Sequence, residues 1–172
     1  EQLRPASAAE LLLGGQRFGL RGFVEGHLNA AFCVAFDATG ERVITSADDF
    51  LVKVWSARTC FALRTLKGHR SEVTDLSVHS SGRVLASASN DRTVRLWALT
   101  HTEIPCIAVL EPPVQIYPGP AAAAAPLQPS SPIVACQWRP HASAQSPLEL
   151  LAVSQDGDCT LWHVQSAEAA GE

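Results

Sequence analysis

The chain has 172 residues, enough for one ordinary domain or for part of a larger one. Hydrophobic residues make up 47% and charged residues 17%, which suits a buried core and excludes a chain disordered throughout. A net charge of −4 excludes an overall basic field, so neither a direct nucleic-acid signature nor a membrane partner is expected.

In chain order, residues 1–15 are rich in Ala and Leu and read as an N-terminal extension, partly helical or disordered. Within the segment 16–111, Arg17 to Val24 reads as an outer strand of a preceding sheet, or one that closes a ring. From Gly26 onward the chain repeats itself. Gly26-His27 returns as Gly68-His69, 42 residues later, and a tryptophan follows each His after 28 residues, at Trp55 and Trp97. Between them, Val34–Gly40 corresponds to Leu76–Gly82, Val43–Asp49 to Leu85–Asp91, and Leu51–Trp55 to Thr93–Trp97. Both copies alternate with the period of two that antiparallel strands require. The pattern predicts strands near 30–36, 41–46, 51–55 and 60–65, then near 72–78, 83–88, 93–97 and 106–110. Ala38-Thr39-Gly40 and Ser80-Ser81-Gly82 read as hairpin turns in which Gly supplies the positive φ.

Residues 112–132 hold the Ala121–Ala125 run between prolines and read as a flexible, peripheral insertion that cannot continue a sheet. The uncharged stretch from Pro112 to Trp138 contains seven prolines and cannot be a membrane helix, so a soluble protein is expected. A worn third copy follows over 133–165, with strands at Ile133–Trp138, Leu148–Ser154 and Cys159–Trp162, and 166–172 form a tail. Asp156 precedes Trp162 by six residues, as Asp49 precedes Trp55 and Asp91 precedes Trp97. Gln128-Pro129 stands in place of Gly-His, and Ala152 falls where the other copies have Thr45 and Ser87. This copy is expected to pack through its tryptophan and apolar strands without a polar network.

A unit of this length with four strands, a Gly-His and a terminal Trp resembles the WD repeat, one blade of a β-propeller. The resemblance implies an all-β fold: three consecutive four-stranded blades of a partial propeller, the third degenerate. Propellers close with about four to eight blades. Three leave unpaired edges and apolar faces, so the sequence reads as a piece of a longer chain or a truncated gene product; a partner that completes the ring is the other possibility.

His69, Ser87 and Asp91 have the residue types of a serine hydrolase, but no G-x-S-x-G elbow surrounds the serine. The WD resemblance implies a structural role instead. His69 bonds Asp91, Ser87 links His69 to the Trp97 indole, and His27, Thr45, Asp49 and Trp55 repeat the set, with Asp156 and Trp162 its remnants in the third copy. A constellation present twice at one spacing is a blade device rather than two active sites, so no catalytic residue and no enzyme are expected. His79, His101, His141 and His163 show neither clustering nor metal-ligand spacing and read as surface or turn residues. Gly14-Gly15 lacks the Lys-Ser/Thr of a phosphate loop. The five cysteines, Cys33, Cys60, Cys106, Cys136 and Cys159, are odd in number and form no C-x-x-C, which reads as reduced thiols of an intracellular protein. No metal and no cofactor are expected.

Phe32–Asp37, Val43–Ser56, Val73–Val78, Leu85–Asp91 and Val94–Trp97 resemble the first blades of bromodomain and WD-repeat proteins, especially plant-type members. The likeness spans roughly residues 24–162, with the Ala/Pro insertion as a departure. It implies a nuclear, chromatin-associated scaffold, or a substrate receptor of a cullin–RING ubiquitin ligase, with histones or the ligase adaptor as partners. A cytoplasmic WD adaptor in RNA processing or trafficking is the alternative. The sequence contains no bromodomain, so acetyl-lysine binding does not transfer. Of the receptor signature W-D-x-R, Trp55-Ser56-Ala57-Arg58 keeps the Arg and lacks the Asp, which makes Arg58 a candidate adaptor contact. Propellers usually meet partners at the loop before the first strand and the turn between the second and third. Here those positions are Asn29, Asp48, Arg70, Glu72, Asn90 and Gln155.

Overall fold

The computed structural model describes residues 11–13, 16–18, 22, 26–100, 105–113, 131–140 and 148–164. The predicted N-terminal extension up to residue 10, most of the Ala/Pro insertion, the tail, His101 and His141 lie outside them. A short antiparallel pair opens the chain, β1 (Leu11–Leu13) with β2 (Gln16–Phe18). The first blade is β3 (Ala31–Phe36), β4 (Arg42–Ala47), β5 (Val52–Ser56) and β6 (Ala62–Leu66), and the second is β7 (Val73–Val78), β8 (Val84–Ser89), β9 (Val94–Ala98) and β10 (Cys106–Leu110). The third comprises β11 (Ile133–Trp138), β12 (Leu148–Ser154) and β13 (Cys159–Val164). Each sheet is an antiparallel meander in sequence order. The third sheet holds three strands among the described residues where four were expected, since the chain after β13 lies outside them.

Strands β3 to β9 start one or two residues later than the alternation predicts, while β10 to β13 start where expected; for β5 and β9 the cause is local. Leu51 and Thr93 are not yet in the ladder, because their amides donate to the side chains of Asp49 (3.2 Å) and Asp91 (3.0 Å). The turn is closed by Phe50 (φ 64°), Arg92 (φ 72°) and Gly157 (φ 90°), equivalent positions in the left-handed region. At the opposite end of the blade, Gly40 (φ 71°) and Gly82 (φ 68°) occupy the left-handed position of the β3–β4 and β7–β8 hairpins. Their amides return to the carbonyls of Asp37 (3.0 Å) and His79 (2.8 Å), which closes both turns in the same way.

The blades stack face to face through β7 on β3 and β4, and through β11 on β7 and β8. Ile44, Val52, Val54 and Leu66 of the first blade meet Leu76, Leu85, Trp97 and Leu99 of the second in one core. The other face of blade two, with Ala86, Ala88, Val94 and Leu96, meets Ile133, Cys136, Trp138, Leu150 and Ala152 in a second core. Small alanines on blade two make room for the large Trp138 opposite. Each fully buried Ile, Leu or Val stabilises the stack by about 1.5–3 kcal/mol. The outermost faces lack such cover: Val34 is 65% exposed where its counterpart Leu76 is 6%, and Leu161 is 61% exposed where Leu96 is 4%.

Candidate functional site

The register first sets the hydroxyl position. Thr45 pairs with Val34 and Lys53, Ser87 with Leu76 and Arg95, and Ala152 with Cys136 and Thr160, so the three residues are equivalent. In blade two the Trp97 indole N–H donates to Ser87 Oγ (2.8 Å), which lies 2.7 Å from His69 Nε2, while His69 Nδ1 lies 2.8 Å from Asp91 Oδ2. One proton arrangement satisfies every group: Trp97 donates to Ser87, Ser87 to His69 Nε2, and His69 Nδ1 to the carboxylate. Blade one has the same relay. Trp55 Nε1 donates to Thr45 Oγ1 at 2.8 Å, His27 Nε2 lies 2.7 Å from that oxygen, and His27 Nδ1 lies 2.9 Å from Asp49 Oδ2. Both carboxylates also accept the amide after the His, from Leu28 at 3.3 Å and Arg70 at 2.9 Å.

Burial alone would raise the pKa of Asp49 and Asp91. The bonds from His27 and the amides of Leu51 and Leu28, and from His69, Thr93 and the Arg70 amide, outweigh it and hold both acids below their usual range. The chemistry of the relay is structural. Ser87 has no exposed surface and both of its bonds are spoken for, so its oxygen cannot reach a substrate. The Gly of each Gly-His has a reason too: a Cβ on Gly26 would overlap the Trp55 ring, and one on Gly68 would lie 2.9 Å from Arg95 Nη1 and 3.2 Å from Trp97 Cη2.

Among the described residues Asp156 and Trp162 join no relay. Asp156 is exposed, and its amide donates to Ser131 Oγ at 3.2 Å; Trp162 packs against the second core by its ring. With Ala152 at the hydroxyl position there is no oxygen to bridge an indole to an imidazole. His79 departs from the expected surface role: it is a turn residue, but it is 7% exposed and meets the Trp138 ring edge-on with centroids 5.3 Å apart. His163 is exposed, with Nδ1 3.9 Å from Glu149.

The six candidate partner residues occupy equivalent loops at one end of the three sheets. The amides of Asp48, Asn90 and Gln155 donate to the carbonyls of Ala30 (3.0 Å), Glu72 (3.0 Å) and Pro132 (2.8 Å). Asn29, Arg70 and Gln155 are exposed, while Asp48, Glu72 and Asn90 are half-buried. Hydrogen bonds from Ser71 and Asn90 hold the Glu72 carboxyl below its usual range, and Asp48 of the neighbouring blade lies beside it. Arg58 stands at the other end of blade one, exposed, in the β5–β6 turn.

Sequence reasoning missed Asp75, which ties all three blades together. Its Oδ1 accepts the Cys33 thiol of blade one at 3.2 Å, and its Oδ2 accepts the Cys136 amide of blade three at 2.9 Å. Alongside it, Ser77 Oγ accepts the Trp138 amide (3.0 Å) and the Thr74 hydroxyl donates to the Ile133 carbonyl (2.7 Å). Burial, and then the Asp75 carboxylate, push the Cys33 thiol up; burial does the same more strongly to Cys136. The available signal was an acid inside the strand-like segment Val73–Val78. The five cysteines are free. Among the described residues no cluster of His, Cys, Asp or Glu could hold a metal, and no helix is long and apolar enough to cross a membrane.

Residues 19–56 and 61–98 match the family described as WD domain, G-beta repeat. A bromodomain and WD repeat-containing protein of Dictyostelium discoideum is 39% identical over 87 residues, covering 51% of this chain and 4% of that protein. A Periodic tryptophan protein 2 homolog of Schizosaccharomyces pombe is 34% identical over 137 residues, 79% of this chain and 13% of the relative. A p21-activated protein kinase-interacting protein 1-like of Danio rerio is 36% identical over 73 residues, 42% of this chain and 20% of the relative. The chain thus spans between 4% and 20% of the length of these relatives. Its two matched repeats and its antiparallel sheets are consistent with a partial WD propeller, and the repeats support a protein-interaction scaffold of the generally non-enzymatic WD kind.

Proposed function

We propose that these blades are the WD-repeat part of a nuclear, chromatin-associated regulator or of a cullin–RING ubiquitin ligase substrate receptor, completed by further blades. The observation that carries this reading is the 39% identity over 87 residues with the bromodomain and WD repeat-containing protein, which spans half of the chain. In this reading the loop end bearing Asn29, Asp48, Arg70, Glu72, Asn90 and Gln155 meets the partner, with one polar residue or more from each blade. Its fixed backbone supports the reading, since a rigid rim loses little freedom on binding. Arg58, at the other end, is the adaptor contact.

The test is affinity capture of the full-length gene product from cells, followed by mass spectrometry. Core histones lost on Arg70→Ala with Glu72→Ala, or a ligase adaptor lost on Arg58→Ala, are the expected results. A second reading, a WD-repeat adaptor of an RNA-processing or trafficking complex, draws on the longer 137-residue likeness to the Periodic tryptophan protein 2 homolog, which reaches beyond the two regular blades. Recovery of RNA-processing or trafficking assemblies without histones or adaptor would establish it in place of the first.

A further inference from the structure

We infer that the cleft between the first two blades, at the end opposite the Asp48 and Asn90 turns, is a docking site for an acidic peptide segment of a protein partner. The cleft measures ≈ 960 Å³ and its charged lining consists of Arg42, Arg58 and Arg64 against Glu41. Asp37 answers the charge of Arg42, so the cleft's surplus positive charge lies with Arg58 and Arg64 against Glu41, in a chain whose net charge is −4.

The three arginines do different things. Arg42 belongs to the wall: its Nε bonds Asp37 Oδ2 at 2.9 Å, and its Nη1 and Nη2 donate to the carbonyls of Leu99 (2.7 Å) and Gly82 (3.2 Å) in blade two. Arg64 spans the cleft in the same direction, donating to the Thr100 carbonyl at 3.3 Å. Arg58 is exposed and pairs with no carboxylate among the described residues. The turn that holds it is fixed, for Thr59 N donates to Ser56 Oγ (3.2 Å), Cys60 N donates to Ser56 O (2.8 Å), and Cys60 sits at φ 60°. A guanidinium on a rigid turn presents its planar fork ready for a carboxylate. Leu63, 57% exposed on β6, adds an apolar patch beside it. The volume lies at the upper end of ligand clefts, about 300–1,000 Å³, and accommodates several residues. Charge complementarity selects the occupant: an aliphatic side chain on Leu63, flanked by Asp or Glu reaching Arg58.

The site shares Arg58 with the proposed adaptor contact but is independent of the loop-end reading, from which the experiment separates it. Fluorescein-labelled eight-residue peptides, each with one Leu or Val among Asp and Glu, are titrated into the full 172-residue chain and followed by anisotropy. Binding by acidic members is expected, with Gln/Asn versions silent and affinity falling as salt rises. Arg58→Glu should weaken it roughly tenfold or more, and Glu41→Gln should strengthen it about two- to threefold. Arg70→Ala with Glu72→Ala should leave it unchanged. Circular dichroism of each variant confirms that the fold is intact. No binding by any acidic peptide, equal binding by the neutral versions, binding confined to phosphoserine versions, or indifference to Arg58→Glu would each overturn the proposal.

Discussion

Replacing Ser87 by Ala removes one oxygen and strands two donors or acceptors at once. Trp97 is wholly buried and the His69 side chain is 1% exposed, so neither the indole N–H nor Nε2 can turn to water. A buried polar group left without its partner costs about 1–3 kcal/mol. The two losses share one site and relax together, so the expected cost is about 2–4 kcal/mol rather than their full sum. Thr45→Ala in blade one provides the comparison. Its relay has the same distances, but Thr45 is half-buried beneath a face where Val34 is 65% exposed. Water can replace the lost hydroxyl there, and about 1 kcal/mol is expected. Urea unfolding followed by tryptophan fluorescence measures both, provided the slope m stays constant. If the two variants lose the same stability within about 0.5 kcal/mol, the burial reasoning fails.

Gly26→Ala is expected to cost about 1–3 kcal/mol, because the new methyl meets the rigid Trp55 ring, whereas at Gly68 the nearest atom is the movable end of Arg95; equal unfolding midpoints would contradict this. Asp37, Asp49 and Asp91 have pKa values held below the ordinary 3.8, since hydrogen bonds outweigh burial. Groups with depressed folded pKa values contribute stability that is present above the unfolded pKa and is lost as pH falls towards the folded value. Urea midpoints should therefore drop from pH 5 to pH 3, and drop less in Asp91→Asn; a flat profile would refute the assignment. In a short iodoacetamide pulse, exposed Cys159 should be modified first and Cys136, 3% exposed with its thiol pushed up by burial, last. Peptide mass spectrometry reads the order, and early labelling of Cys136 in the native chain would contradict the packing.

Most of the blade pattern was legible because it repeats. Two copies of Gly-His, hydroxyl, Asp and Trp at one spacing locate the relay, and period-two alternation locates the strands. The starts of β5 and β9 were not legible, since Asp49 and Asp91 capture the next amides and Phe50 and Arg92 adopt a left-handed φ that their residue types do not announce. Asp75 was missed for a different reason. Its partners lie 42 residues before it and 61 after it, on other sheets, and a single apolar strand gives no hint of such reach. The arginine cleft is likewise a product of stacking: Arg42, Arg58 and Arg64 look like scattered surface charges until two blades meet.

The amides of Asp48, Asn90 and Gln155 reach their carbonyl partners by backbone alone, and even Pro132 serves as an acceptor. Substitutions at these turn positions other than by proline, which lacks the amide hydrogen, therefore leave the closing bond intact. The frame and the rim chemistry are thus separable at Asn29, Arg70 and Gln155, which are exposed, whereas Glu72 and Asn90 are tied to each other and their replacement also touches the loop's own bonding.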